Sequence, residues 1–286
     1  MTETNMTARE REYTPSSCVE NLDDVLLAFA EQCISMSETY KANTHADVPY
    51  GDAPRTVMDI FVPGGDGPFP VHVFVHGGYW QEFSKAESTF AAGNFLNHNS
   101  ILVVMDYTLA PEAKMAQIID EARRCAVWVA KNIADYGGDP DNITMSGHSA
   151  GAHLLAQILA TNWQVEGFDT CPLKGATLVS GVYDLRPLVG TYINDALAMD
   201  ADEAARHSPQ LHLPEPSCPV VLSVGEVETD AFKSQTQNFA DALQKAGHDC
   251  TNIPMAGFNH FDIILELANP QSPLFLAIKA QMQAKG

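Results

Sequence analysis

A serine between two glycines marks the first chemically suggestive stretch, ITMSGHSAGAH, at residues 143–153. Gly147, Ser149 and Gly151 fit the spacing G-x-S-x-G between a predicted strand and a predicted helix, which indicates a tight, strained turn. Its neighbours two residues away must lack side chains. Ser149 would then lie at a helix N-terminus, where the helix dipole and free N–H groups favour developing negative charge. The pattern predicts a nucleophile; the alternative is a glycine-bounded turn with an idle serine.

A serine nucleophile needs a base, and the base needs a carboxylate that orients it. In this structural context the chain order is Ser, acid, His, each at the carboxyl end of a strand. His260 is the only histidine that follows the last predicted strand, so we expect it to be the base. Three carboxylates follow the preceding strand, and we expect Glu228 to orient the base, with Asp230 and then Glu226 as alternatives.

Two adjacent glycines followed by two large aromatic residues end another predicted strand, in the stretch VFVHGGYWQEF at 73–83. Glycines allow backbone N–H groups to approach the oxyanion of an acyl-transfer intermediate. We expect the donors to be Gly78, Tyr79 and Ala150. Tyr79 and Trp80 would stand over the serine and narrow the acyl side of the pocket. The alternative is a Gly-Gly turn whose aromatic side chains fill the core.

The substrate pocket is expected to form around these turns. Its predicted lining residues are Gly77, Trp80, His148, Tyr183 and Phe258. The part of the insert around 183–188, together with Phe258 and the helix predicted near the N-terminus, would cover an aromatic leaving group, or serve ordinary packing.

Strand and helix patterns alternate along the chain. The predicted strands cover 57–62, 71–76, 101–106, 143–146, 176–180, 220–224 and 250–254. The predicted helices cover 25–35, 114–136, 149–161, a segment after 230 and 273–284. This alternation predicts an α/β fold with a mostly parallel sheet between two layers of helices. We expect one domain over 1–286, with an N-terminal extension at 1–50 and a cap-like insert at 183–215.

Composition limits the function classes. The chain of 286 residues has 45% hydrophobic residues and a formal charge of −20, which describes a globular protein and argues against nucleic acid or anionic membrane as a partner. Six scattered cysteines, a polar N-terminus and the lack of an apolar run of about 20 residues predict a reducing, cytoplasmic location. A small-molecule substrate is the expected partner, and a homodimer is left open.

Several stretches together resemble the arylformamidase (kynurenine formamidase) family of serine α/β-hydrolases. They are HGGYWQ at 76–81, GHSAGAH at 147–153, SGVYDLRPL at 180–188 and SPQ at 208–210. The resemblance implies the α/β-hydrolase fold and cofactor-free hydrolysis of N-formyl-kynurenine, with Ser149 as nucleophile and His260 as base. Family members often carry aspartate where this chain has Glu228, which leaves Asp230 open as the acid. Esterases like hormone-sensitive lipase would usually show glycine at Tyr79 and aspartate at His148.

Other chemistries find less support in the sequence. The stretch NTHADVPYGD at 43–52 resembles part of the metal motif of cyclase-like formamidases, but Lys41 and Tyr50 occupy two positions where that motif has histidine. We therefore expect no metal and no cofactor. Two other functions stay open: a short-chain carboxylesterase of the same fold, and a non-catalytic binding protein built on it.

Overall fold

The computed structural model describes residues 6–284 and contains one eight-stranded sheet. The strands are β1 (Thr44–Pro49), β2 (Val57–Phe61), β3 (Phe69–Val75), β4 (Ile101–Met105), β5 (Gly138–His148), β6 (Leu173–Val179), β7 (Val220–Gly225) and β8 (Cys250–Met255). Their order across the sheet is β1-β2-β4-β3-β5-β6-β7-β8. β2 pairs antiparallel with both neighbours, and every later pair in the order is parallel. The predicted mostly parallel sheet is confirmed; residues 1–5 and 285–286, the ends of the expected domain, lie outside the described residues.

Helices cover both faces of the sheet. They are α1 (Ala8–Glu12), α2 (Leu22–Thr39), α3 (Ala92–Asn97), α4 (Met115–Asn132), α5 (Ala150–Leu159), α6 (Asn194–Leu197), α7 (Ala201–Arg206), α8 (Asp230–Lys245) and α9 (Pro273–Gln283). Short 3-10 helices lie at 15–18, 41–43, 85–91, 133–136, 186–188, 209–211 and 263–268. No helix within residues 6–284 has the length and apolar character needed to cross a membrane.

Alternating side chains divide the core into two layers, because successive residues of a strand point to opposite faces. Val73 and Val75 of β3 belong to the layer that includes buried side chains of α4, α5 and α8. Phe74, between them, belongs to the layer that includes buried side chains of α3 and α9. Central strands covered on both faces need apolar residues throughout, and all five residues of β4 are buried.

The edges of the fold differ most from the sequence-based expectations. β1 lies within the stretch expected to be a polar extension. Its sequence is polar because β1 is an edge strand with mostly exposed side chains. α2 runs from Leu22 to Thr39, well beyond the predicted 25–35. Residues 138–142, expected as a loop, extend β5. The insert at 183–215 contains α6, α7 and two short 3-10 helices.

A glycine-to-alanine pair tests how closely α5 approaches the sheet. A Cβ at Gly151 would lie 2.0 Å from the Val75 carbonyl oxygen, whereas a Cβ at Gly64 would meet nothing within 4 Å. We expect Gly151→Ala to lower the free energy of unfolding by at least about 2 kcal/mol, because backbone must move. Gly64→Ala should change it by less than about 0.5 kcal/mol. Urea unfolding measures both, and equal effects would contradict the close approach.

Candidate active site

Ser149 occupies the turn between β5 and α5 with φ 55° and ψ −116°, a conformation rare for a residue with a side chain. Its N–H donates to the Val179 carbonyl at 2.8 Å, which ties the turn to β6. A Cβ at Gly147 would lie 2.2 Å from the Gly151 carbonyl oxygen. Both glycines of the motif are therefore required by crowding around one strained turn.

Glu228 is the carboxylate that the structure brings to His260. Its Oε2 accepts a 2.7 Å hydrogen bond from His260 Nδ1, and the two side chains are 1% and 5% exposed. Asp230, at the start of α8, has a side chain that is 88% exposed and forms an ion pair with Lys233. Glu226 is also exposed and accepts from the Gly257 N–H. The loop after β7 thus buries one of its three carboxylates.

Two further groups hold Glu228, and sequence reasoning missed both. Glu228 Oε1 accepts from Ser180 Oγ at 2.5 Å and from the Gly225 N–H at 2.8 Å. Ser180 lies directly after β6, at the same sheet edge as the loop that carries Glu228. The sequence signal that could have identified Ser180 was its position as a small polar residue at the end of a buried strand. With these contacts the buried carboxylate has three hydrogen-bond donors, which offsets the cost of its burial.

Ser149 and His260 open onto the same cavity, which has a volume of about 300 Å³. Gly78, Tyr79 and His148 line it as well. Within residues 6–284 no hydrogen bond joins the Ser149 hydroxyl to His260. Hydrogen bonds of this kind are often long in unliganded sites and shorten when substrate binds. Since Nδ1 of His260 donates to Glu228, its Nε2 is the ring nitrogen available to accept a proton.

The backbone N–H groups of Gly78, Tyr79 and Ala150 carry no partner within the described residues. Gly78 and Tyr79 line the cavity, and Ala150 directly follows Ser149. The first two belong to a turn in which Gly78 has φ 91° and Tyr79 has φ 49°. Ala150 is the first residue of α5, where N–H groups have no acceptor within the helix. These are the three donors that the sequence predicted for an oxyanion.

The direction of the Gly78 N–H is fixed by hydrogen bonds to the carbonyl on the same peptide. Gly77 O accepts from His76 Nδ1 at 2.9 Å. The Tyr107 hydroxyl donates between two carbonyls, His76 O at 3.0 Å and Gly77 O at 3.2 Å. N–H and C=O point in opposite directions in a trans peptide, so holding one aims the other. His76 is itself stacked on Tyr107 and lies 3.3 Å from Asp106. Sequence reasoning did not identify His76 or Tyr107 as part of the site.

Three of the predicted pocket residues lie elsewhere, and these predictions are wrong. Trp80 is fully buried because the turn at Gly78 directs it into the core. Its ring is nearly perpendicular to that of His153, with 5.0 Å between the ring centroids. Tyr183 is fully buried and stacked on Phe239 at 4.2 Å. Phe258 packs with the core layer that contains α9 and does not line the cavity. Gly77 and His148 line a smaller adjoining cavity, and His148 lines both.

The N-terminal segment supplies much of the cavity wall instead. Its lining residues are Thr14, Pro15, Ser16, Leu22 and Leu26, and the insert contributes Tyr192 and Ile193. This segment is tied to the turn after β3, because the Tyr79 hydroxyl donates to the Tyr13 carbonyl at 2.6 Å. It is also tied to the loop that carries Glu228, since Thr229 Oγ1 donates to the Glu12 carbonyl at 2.6 Å.

His148, inside the G-x-S-x-G stretch, is held as a neutral side chain. Its Nε2 donates to the His260 carbonyl at 2.8 Å. Burial, reinforced by the neighbouring His260 ring, lowers the pKa of His148 well below its usual value. The cavity therefore gains no positive charge from this ring at neutral pH.

The fold and site define an α/β-hydrolase, and the comparisons give its family. The BD-FAE family model matches residues 58–243. Kynurenine formamidase of Danio rerio is 34% identical over 271 residues, covering 91% of this chain and 90% of that protein. The chain belongs to the kynurenine formamidase family of α/β-hydrolases and is a hydrolase.

Other relatives show how widely this fold is used. Isoprenylcysteine alpha-carbonyl methylesterase ICME of Arabidopsis thaliana is 27% identical, with 82% of this chain and 60% of that protein covered. A solved structure of a candidate thioesterase from Silicibacter sp. aligns with a TM-score of 0.86 at 27% identity, covering 96% of this chain and all of that one. The predicted α/β-hydrolase fold is thereby confirmed.

The contrast between Glu228 and Asp230 can be tested with matched amide substitutions. We expect Glu228→Gln to lower kcat for p-nitrophenyl acetate by about 10³–10⁴-fold, because His260 loses the partner that sets its tautomer. Asp230→Asn should stay within about twofold of the parent, since its carboxylate faces solvent. Steady-state kinetics measures both. A crippled Asp230→Asn beside an active Glu228→Gln would reverse the assignment.

The hydrogen bonds to Gly77 O give a second kinetic prediction. Tyr107→Phe removes one of the donors that aim the Gly78 N–H, so we expect kcat to fall about tenfold, less than the loss of an oxyanion donor itself. KM should change little, because the contact matters most in the transition state. Tyr136→Phe, far from the cavity, is the control. An unchanged kcat in Tyr107→Phe would show that Gly78 needs no such positioning.

Proposed function

We propose that this hydrolase cleaves a small acyl group from an aryl amide or ester through an acyl-enzyme on Ser149. His260 acts as the general base and Glu228 orients it. One observation carries the proposal: His260, paired with the buried Glu228 at 2.7 Å, lines the same cavity as Ser149, and the N–H groups of Gly78, Tyr79 and Ala150 have no partner in the described chain. Base, nucleophile and oxyanion donors are the complete set that acyl transfer needs.

The reaction follows from these positions in two steps. Ser149 Oγ attacks the acyl carbon while its proton moves to His260 Nε2, and the carbonyl oxygen becomes an oxyanion that accepts from Gly78, Tyr79 and Ala150. The tetrahedral intermediate expels the amine or alcohol, which takes the proton from His260. Water then attacks the acyl-enzyme, with His260 again accepting and returning a proton, and the free acid leaves.

We further propose that the acyl group is formyl and that the substrate is N-formyl-kynurenine or a related N-formyl aryl amine. The support is the identity to relatives named kynurenine formamidase. A cavity of about 300 Å³ is at the small end for a ligand site, and its wall includes Phe83, Phe261 and Leu26. Such a wall provides apolar contacts for an aromatic leaving group.

A short-chain carboxylesterase is the second candidate. The same nucleophile, base and oxyanion donors serve ester cleavage, and the relative from Arabidopsis thaliana is named as a methylesterase.

For the location of the protein we propose the cytoplasm. All six cysteines are unpaired, as expected in a reducing compartment.

A substrate panel tests the proposal. We compare kcat/KM after dividing it by the rate constant of uncatalysed hydrolysis, because the ester is intrinsically more reactive. We expect this ratio to be higher for N-formyl-kynurenine and N-formylaniline than for p-nitrophenyl acetate. Ser149→Ala should lower kcat by several orders of magnitude for every substrate that is cleaved. Turnover of esters alone would favour the carboxylesterase. Unchanged turnover in Ser149→Ala would refute the acyl-enzyme, and no turnover of any acyl compound would favour a binding protein.

A further inference from the structure

The charge of the cavity wall is one-sided. Within residues 6–284 the lining includes one acidic residue outside the catalytic set, the exposed Glu82, and no Lys or Arg. His148 adds no charge, because its pKa is lowered by burial. The adjoining smaller cavity contributes a further carboxylate, Glu87. The chain has a formal charge of −20. One cation, Arg11, lies at a further cavity that shares two residues with this one.

Glu82 is held in place by the turn at Gly78 and Tyr79, called here the oxyanion turn, yet within residues 6–284 its carboxylate has no partner. Its backbone N–H donates to the Gly78 carbonyl at 2.9 Å, which fixes where the side chain begins. No hydrogen bond or ion pair engages the carboxylate in the part of the chain that is described. By contrast, Glu87 accepts from Ser84 Oγ at 2.7 Å. Glu82 is therefore able to pair with a group that enters the cavity.

The two cations that lie near the turn at Gly78 are already engaged. Arg55 reaches the turn by donating to the Phe83 carbonyl at 2.7 Å, but the same nitrogen donates to Asp106 at 2.7 Å. Lys85 lies 2.7 Å from Asp59 and 3.0 Å from Asp47. Neither side chain lines the cavity. Among the described residues that line this cavity, an anionic group on a substrate would thus find no cationic partner, and clefts with charges of one sign concentrate the field within them.

We propose that Glu82 is a specificity-determining residue that pairs with a cationic amine on the leaving group, so that the site favours cationic aryl substrates over anionic ones. The inference rests on the proposed hydrolysis of aryl amides or esters and adds the charge of the leaving group. An amino-acid leaving group would direct its ammonium to Glu82 and its carboxylate away from the wall. Because Glu82 lies just after the oxyanion turn, the pairing of its carboxylate with the substrate ammonium would take place close to the reacting carbonyl.

Three formanilides that differ only in one ring substituent test the proposal: aminoethyl, ethyl and carboxyethyl. At low ionic strength we expect kcat/KM to fall in that order, with about a tenfold ratio between the cationic and anionic compounds. In Glu82→Gln the ratio should drop below about threefold. Glu112→Gln is the matched control, because it removes the same charge from an exposed residue away from the cavity. It should keep the parent ratio.

A second readout separates this inference from the proposed function. The corresponding free anilines are products, and their dissociation constants, measured by calorimetry, require no turnover. The same order in the parent chain, lost in Glu82→Gln, would support the charge preference even if no formanilide is cleaved. Equal binding of the three anilines, or a ratio that Glu82→Gln leaves intact, would overturn it, whatever the turnover. Cleavage of esters but not formanilides would count against the formamidase proposal alone.

Discussion

The buried hydrogen bond between Glu228 and His260 is the interaction on which the rest of the site depends. A carboxylate is costly to bury unless donors surround it, and here Ser180, Gly225 and His260 supply them. Each donor lies at or after the carboxyl end of a different strand, β6, β7 or β8, and these ends lie on the same side of the parallel sheet. The order of the strands therefore determines the site, because parallel strands bring their carboxyl ends together.

Strained backbone is concentrated around this interaction. Ser149, Tyr79 and Ser180 all have positive φ, between 49° and 55°. Such conformations cost about 1–3 kcal/mol each and persist only where surrounding contacts enforce them. Those contacts are present: the Ser149 N–H binds β6, the Ser180 N–H binds the Ser223 carbonyl, and the Tyr79 hydroxyl binds the N-terminal segment. The proposed oxyanion donors are consequently held in place before any substrate arrives, and donors positioned in advance lower a barrier most.

Local sequence patterns carried the prediction of the fold and of the strained turn at Ser149. Alternating strands and helices gave the parallel sheet, and the order along the chain pointed to His260. Sequence alone favoured Glu228 but left Asp230 open, because the two residues lie two positions apart and differ in burial, which only packing decides. Trp80 was misplaced for a related reason: its type predicts burial beside the turn but not which side of the turn it faces.

The N-terminal wall of the cavity was anticipated only as a helical cover. Thr14 contacts Tyr192 at 2.8 Å across 178 positions of the chain, and no periodicity or local motif encodes such a contact. The same holds for the Tyr107 hydroxyl on Gly77 O, which joins two strand ends 30 residues apart. The sequence therefore did not reveal residues that line the cavity or support another residue through a long-range contact. It did reveal the turn at Ser149, whose backbone geometry is encoded by neighbouring residues.

A crystal structure of the chain after reaction with an aryl fluorophosphonate would test the central claim most directly. We expect phosphorus bonded to Ser149 Oγ, with the phosphoryl oxygen about 2.7–3.1 Å from the N atoms of Gly78, Tyr79 and Ala150. His260 Nε2 should lie within hydrogen-bond distance of Ser149 Oγ or the phosphonate. An unlabelled Ser149, or a phosphoryl oxygen directed away from these three N–H groups, would contradict it.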